Sequence, residues 1–183
     1  MFFLDYFRKK IKIFKAFSLL EIMVTISLLA VALVAIISVT IKILQAEHVT
    51  ENDFIAKGLM VEGLELAEAI RNNNIDKLSA FYTDLTSASP ANGTTYTMRI
   101  DYTGANNATV ATLTDSLCRL LYDTTNFYQY TSGSQTKFYR MLKTTYRVAG
   151  GRDYLEVESQ LYWADRGKGS TQKISSVLYN TVY

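Results

Sequence analysis

The sequence contains one cysteine, one proline and one histidine in 183 residues. A single cysteine, Cys118, excludes an intramolecular disulfide, and a single histidine, His48, excludes a metal site with several histidine ligands. Neither a GxSxG nucleophile elbow nor a GxxxxGK[ST] phosphate loop occurs. We therefore predict no enzyme activity, no cofactor and no metal site. Cys118 is expected to pack as a small apolar residue in or near a strand, and His48 to lie solvated on a helix surface.

Charge is absent from one long stretch, since Ile22 to Ile41 is twenty residues without Asp, Glu, Lys or Arg. At about 1.5 Å per helical residue this run spans about 30 Å, the thickness of the bilayer hydrocarbon. The apolar core of a secretory signal is shorter, at about 7 to 15 residues. The run therefore predicts a membrane-spanning helix.

Basic residues are concentrated at the N-terminus, where the first sixteen residues have a net charge of +4 and the rest of the chain has −2. A basic flank before a membrane span stays in the cytoplasm, so the C-terminal part is predicted to be exported across the cytoplasmic membrane. Because the basic charge belongs to this flank, it predicts no binding of nucleic acid.

One carboxylate, Glu21, stands at the start of the apolar run, where a charge costs insertion energy and so suggests a function.

The helical pattern continues beyond Ile41, because residues 42–74 contain no proline and repeat apolar residues at spacings of three and four. The predicted apolar stripe consists of Leu44, Val49, Ala56, Met60, Gly63, Ala67 and Ile70. The polar side consists of Glu47, Glu51, Lys57, Glu65, Glu68 and Arg71. We expect the helix to end at Asn72 to Asn74, and a short helical piece to follow in IDKLSAFYTDL.

After the loop around Pro90 the apolar period changes from 3.6 to 2. YTMRIDYT, TKFYRMLKTTYRV, DYLEVESQLYWAD and TQKISSVLYNTV are predicted strands, and SLCRLLYD and NFYQYT are possible ones. The glycines in AGGR and RGKG predict hairpin turns. The predicted fold is α+β, with a long helix covering one face of an antiparallel meander.

Four segments follow from these patterns: a basic leader at 1–16, a transmembrane helix half at 17–41, an amphipathic helix half at 42–74 and an exported domain at 75–183. Within the exported domain, four aspartates would bind calcium only if loops brought them together, and they lack the DxDxDG spacing. We expect solvated loop charges instead. The four are Asp101, Asp115, Asp123 and Asp153.

The residues around Glu21 carry a family resemblance. Lys15 and Ala16 end the basic leader, Phe17-Ser18-Leu19-Leu20-Glu21 follows, and then the uncharged run begins. This stretch resembles the signature of type IV prepilins. The resemblance implies that a prepilin peptidase cleaves between Ala16 and Phe17, that the new amine of Phe17 is methylated, and that Glu21 is fifth in the mature chain.

The long helix followed by an antiparallel sheet also resembles type IV pilins and the pseudopilins of type II secretion. LMVEGLELAEAIRNNN and the late strand with Trp163 resemble minor pilins of the pilus-modification type. The chain departs from the family at the cleavage site, where Ala16 replaces the usual glycine but is still a small residue. Two absences argue against a typical major pilin: Ser38 stands where many major pilins have proline, and no C-terminal disulfide is possible.

The resemblance implies a structural role. Glu21 would neutralise the Phe17 amine of a neighbouring pilin subunit in a filament, because a buried carboxylate and a buried cation are costly unless paired. The chain would be stored as a single-pass protein of the inner membrane and then enter an extracellular or periplasmic filament. One alternative is a type II secretion pseudopilin. Another, of a different class, is a membrane-anchored binding module that keeps its leader and binds a surface ligand through its tyrosine-rich sheet.

Overall fold

The computed structural model describes residues 18–106, 110–125, 127–165 and 167–180. These residues divide into two compact units, one ending at Thr50 and the other starting at Glu51. The fold is α+β, as predicted, with one long N-terminal helix and an antiparallel sheet after it.

Helix α1 spans Leu19–Asp76. It ends two residues beyond the predicted asparagine triplet, and Asn74 helps to close it, because its side-chain amide donates to the carbonyl of Thr83 at 2.7 Å. The predicted short helix in IDKLSAFYTDL was wrong, since the segment after Asp76 forms turns. Leu78 and Asp84 have φ values of 56° and 63°, which a right-handed helix does not allow.

In the part of the chain that the structure describes, seven strands follow α1, and a 3-10 turn, Ser116–Cys118, precedes the third. The strands are β1 Thr95–Asp101, β2 Gly104–Asn106, β3 Arg119–Tyr122, β4 Tyr128–Gln129, β5 Ser134–Ala149, β6 Arg152–Asp165 and β7 Lys168–Tyr179. The four segments predicted as strands from the period-2 pattern form β1, β5, β6 and β7. The two segments predicted as possible strands, SLCRLLYD and NFYQYT, contain only the short strands β3 and β4.

All strand pairs are antiparallel, and β5, β6 and β7 form a meander. Gly150 and Gly151 connect β5 to β6 with φ values of 59° and 74°, which favour glycine in a two-residue turn. The other edge of β5 pairs with two strands end to end, β3 near its start and β1 near its end. Strands β2 and β4 then flank β1 and β3.

The core of the second unit lies between the sheet and the part of α1 from Glu51 onward. Of the predicted apolar stripe, Ala56, Met60, Gly63 and Ala67 are buried and Ile70 is half-buried, whereas Leu44 and Val49 in the first unit are exposed. Along β6 the buried residues alternate strictly, and they are Leu155, Val157, Ser159, Leu161 and Trp163. A third, smaller cluster on the opposite sheet face contains Val110, Cys118 and Met141.

Candidate functional site

The first part of α1 exposes its apolar side chains on every side. Each large apolar residue from Leu19 to Leu44 has between 48% and 77% of its surface exposed. The helix is long and apolar enough to span a membrane. A helix that is apolar all round requires lipid or protein around it, because water hydrates such a surface unfavourably.

Hydroxyl groups within this apolar part are satisfied inside the helix. Ser27 donates to the carbonyl of Met23 at 2.8 Å, and Ser38 donates to that of Val34 at 2.8 Å. Such bonds to the preceding turn leave no hydroxyl hydrogen in need of an outside acceptor. These polar residues therefore do not prevent the helix from entering an apolar environment.

Glu21 lies exposed in the first turn of α1. Its backbone N–H donates to the carbonyl of Ser18 at 2.9 Å, and its own carbonyl accepts from the Thr25 hydroxyl. The carboxylate is at the positive end of the helix dipole, where a negative charge is favoured. Ala16 and Phe17, the predicted cleavage and methylation residues, lie outside the described residues.

The four aspartates proposed as loop charges are separate and already bonded. Asp101 is only 1% exposed, so it is not the solvated loop charge that we expected. Its carboxylate accepts from the N–H groups of Thr103 and Tyr130, each at 3.0 Å. Within the described ranges, no group of three or more His, Cys, Asp or Glu side chains is arranged to hold a metal ion.

Asp123 is the most heavily bonded of these carboxylates. It accepts from the N–H groups of Thr125 and Phe127 at 2.9 Å each and from the Tyr102 hydroxyl at 3.0 Å. The Phe127 backbone bond is the main reason why the pKa of Asp123 lies below its ordinary value, with the Thr125 and Tyr102 hydroxyls adding to it. Asp123 thus joins the loop after β1 to the loop after β3 and has a structural role.

A buried arginine links the helix to the sheet in the second unit. Arg140 in β5 has no exposed surface, and its guanidinium donates to the carbonyl of Leu59 at 2.9 Å and to that of Ile100 at 2.8 Å. It also donates to Glu62 at 3.1 Å, and its Nε donates to the Tyr130 hydroxyl at 3.3 Å. The planar guanidinium therefore connects α1, β1 and the residue after β4, as its fan of five donors allows.

Tyr130 makes two hydrogen bonds with Arg140 and completes this network. Its hydroxyl donates to the backbone carbonyl of Arg140 at 3.0 Å, so it both gives and accepts a hydrogen bond. Burial raises the pKa of Tyr130, which keeps the hydroxyl proton in place for that bond. Sequence reasoning missed the network, although the signal was present: Arg140 and Thr144 interrupt the apolar face of β5.

The remaining reactive residue types lie as predicted. Cys118 is buried directly before β3, and burial raises the pKa of its thiol to about 11. His48 lies on the exposed surface of α1.

Comparisons of the chain with models of known families, with curated proteins and with solved structures found no match.

Proposed function

We propose that this chain is a structural subunit, of the minor-pilin kind, of a type IV pilus or a related filament. Under this proposal α1 holds the chain in the cytoplasmic membrane until residues 1–16 are removed, and the same helix then packs against other subunits. The observation that carries the proposal is the first part of α1, which exposes all its large apolar side chains and carries a single carboxylate, Glu21, in its first turn.

The position of Glu21 supports assembly rather than anchoring alone. An anchor needs only the uncharged run, and a carboxylate at its edge adds nothing to insertion. In a filament core the new Phe17 amine of one subunit and Glu21 of its neighbour would both leave water. Each would be costly alone and tolerable when paired, so the pair would also define how far neighbouring subunits are displaced along the axis.

Three further features support an exported, membrane-stored subunit. The leader is basic, the uncharged run is long enough to cross a bilayer, and the hydroxyls within that run bond to their own helix. A type II secretion pseudopilin would share all three features, and genomic neighbours would separate it from a pilus subunit.

Cleavage tests the proposal. We would co-express the full chain with an active prepilin peptidase and measure the intact mass of the purified product, with a catalytically inactive peptidase as control. We expect a chain that starts at Phe17 and carries one added methyl group. Ala16→Gly restores the residue common in the family and should be cleaved at least as completely.

A chain that keeps Met1, while a known prepilin is cleaved in the same cells, would overturn the proposal. That result would instead support the membrane-anchored binding module that retains its leader. The Ala16→Gly variant serves as a control. If neither the wild type nor this variant is cleaved, the alanine at position 16 is not what prevents cleavage.

A further inference from the structure

The face of the sheet that points away from α1 carries a shallow cavity. Side chains alternate along β6, so Leu155 and Val157 face α1 while Glu156 and Glu158 point to the other side. The cavity around these two glutamates has a volume of about 580 Å³. Small-molecule sites have volumes of about 300 to 1,000 Å³, so it is large enough for a ligand. We call it the outer cavity, and its floor contains Lys143, Thr145, Glu156, Glu158, Ser175 and Val177.

The register of the strands explains why this part of the sheet is concave. Thr145 on β5 and Val177 on β7 flank Glu156, and Ser175 lies beside Glu158, so short side chains surround the two carboxylates. The next residues along the same face are larger and form the two walls. They are Arg147, Tyr154 and Tyr179 on one side and Met141, Gln160 and Lys173 on the other.

The charged groups in and beside the outer cavity nearly balance. Glu156 pairs with Arg147 at 3.2 Å, and Glu158 pairs with Lys173 at 2.8 Å. Lys143 lies directly opposite Glu158 on the neighbouring strand. Three cations and two carboxylates leave little net charge, whereas binding of nucleic acids and other polyanions needs an excess of basic groups. The charge therefore favours a neutral ligand.

The same groups can bond to a ligand that has both donors and acceptors. A carboxylate has about four acceptor positions, and Glu156 accepts from the Arg147 guanidinium, so positions remain for a ligand. The hydrogen bond from Lys173 is the main reason why the pKa of Glu158 lies below its ordinary value, so this group is also an acceptor at neutral pH. The hydroxyls of Thr95 and Thr145 share one hydrogen bond at 2.8 Å, which leaves one of their two hydrogens without an acceptor among the described residues. Hydroxyl groups of a ligand both donate and accept, and so match this mixture.

An aromatic surface borders the outer cavity on one side. Tyr154 and Tyr179 are register partners with ring centroids 5.7 Å apart, and 48% of Tyr179 is exposed. Val177, the next residue on that face, is 43% exposed. Protein–protein interfaces have their apolar groups at the centre, whereas here the centre is charged and the apolar groups lie at one side. A ligand with an apolar face and polar edges therefore fits better than a protein surface.

We propose that the outer cavity binds a neutral saccharide. Hydroxyl groups of the sugar bond to the carboxylates of Glu156 and Glu158 and to the ammonium group of Lys143, and the C–H face of one sugar ring packs on the Tyr179 ring. A saccharide has hydroxyls around the edge of each ring and C–H groups on its faces, which is the combination that this cavity accommodates. The proposal is independent of filament assembly, since the outer cavity lies entirely within the second unit.

The test uses the full unprocessed chain in micelles of a detergent without sugar headgroups. The probes are four neutral hexasaccharides, made of α-linked glucose, β-linked glucose, mannose and N-acetylglucosamine, and one anionic hexasaccharide of galacturonic acid. Saturation-transfer NMR detects binding, and titration gives each affinity. We expect at least one neutral saccharide to bind, and to bind about tenfold more tightly than the anionic one, because Glu156 and Glu158 repel its carboxylates.

Variants locate the site. Tyr179→Ala should weaken binding about tenfold, whereas Tyr179→Phe keeps the ring and should bind like the wild type. Tyr102→Ala is the matched control, since Tyr102 is 49% exposed and lies outside the outer cavity. Replacing both Glu156 and Glu158 with Gln should also weaken binding about tenfold, because hydrogen bonds to charged groups are the stronger ones. That variant leaves Tyr179 in place, so the test stays valid if Tyr179→Ala unfolds.

The inference is wrong if none of the neutral saccharides binds, if Tyr179→Ala and Tyr102→Ala change binding equally, or if the galacturonic acid chain binds most tightly. Because the unprocessed chain is used, none of these results bears on cleavage at Phe17. Failed cleavage would likewise leave saccharide binding as a property of the second unit.

Discussion

Replacing Arg140 with alanine should destabilise the second unit strongly. The guanidinium is fully buried, and its removal takes one donor from the carbonyl of Ile100 and one from that of Leu59, which keeps its bond within the helix. Each unsatisfied buried group costs about 1 to 3 kcal/mol, and the cavity adds to that. Glu62, the remaining member of the ion pair, has 38% of its side chain exposed, so the lost hydrogen bonds and the cavity account for the expected loss of about 3 to 5 kcal/mol.

Thermal unfolding of the full chain in detergent micelles, followed by near-ultraviolet circular dichroism, measures this loss. For a chain of this size a loss of 3 to 5 kcal/mol lowers the melting temperature by about 10 °C. Arg147→Ala is the matched control, because Arg147 pairs with Glu156 at 3.2 Å while 43% of its side chain is exposed. Such a surface pair contributes about 0 to 1 kcal/mol. Equal melting temperatures for the two variants would refute the role assigned to Arg140.

The further predictions concern the second unit. Gly63→Leu should destabilise it by about 1 to 3 kcal/mol through overpacking, since even a Cβ there would lie 2.9 Å from Ser159 Oγ. Gly58→Ala, with nothing within 4 Å of the added Cβ, should instead stabilise α1 by about 0.5 to 1 kcal/mol. Chemical denaturation measures both changes in the free energy of unfolding, and changes of the same sign would contradict the packing described. Cys118, whose thiol pKa is raised to about 11, should react with a thiol reagent at pH 8 only after unfolding, so rapid labelling of the native chain would contradict its burial. Because the pKa of Asp123 is lower in the folded chain, its contribution to stability is present above the ordinary value of 3.8 and is lost as pH falls through the folded pKa. Asp123→Asn should therefore make stability fall less steeply at acidic pH. An unchanged fall would contradict the role given to the Asp123 carboxylate.

The regular elements could be predicted because their patterns are local. The uncharged run defines the first part of α1, and strict alternation from Leu155 to Trp163 defines β6. Strands β3 and β4 are short, and their pairing depends on β5, so their sequences alone could not set their limits. Propensity is a weak guide where tertiary contacts decide.

The turn after α1 shows the same limit. IDKLSAFYTDL contains helix-forming residues, but Asn74 donates to the carbonyls of Phe81 and Thr83 and holds the segment in turns. That contact joins residues seven and nine positions apart, and helical periodicity does not reveal it. The pattern of β5 marks Arg140 as unusual but does not reveal its partners, since its acceptors Leu59 and Ile100 lie 81 and 40 residues away in the chain.

The candidate site at Glu21 stays a prediction from the sequence. Glu21 stands out because it is the only charge between the basic leader and Lys42. The structure shows only that Glu21 lies exposed in the first turn of α1. What sequence could not supply is the partner, because a contact between subunits leaves no pattern within one chain beyond the charge itself.

Incorporation of Glu21 variants into filaments tests the proposed assembly contact most directly. The fraction of processed chain in sheared filaments would be compared for wild type, Glu21→Leu and the matched Glu21→Asp, with cleavage and membrane insertion measured in parallel. We predict that Glu21→Leu is cleaved and inserted like the wild type but is largely lost from filaments, whereas Glu21→Asp retains part of its incorporation because it keeps the charge. Normal incorporation of Glu21→Leu would contradict the pairing of Glu21 with the Phe17 amine.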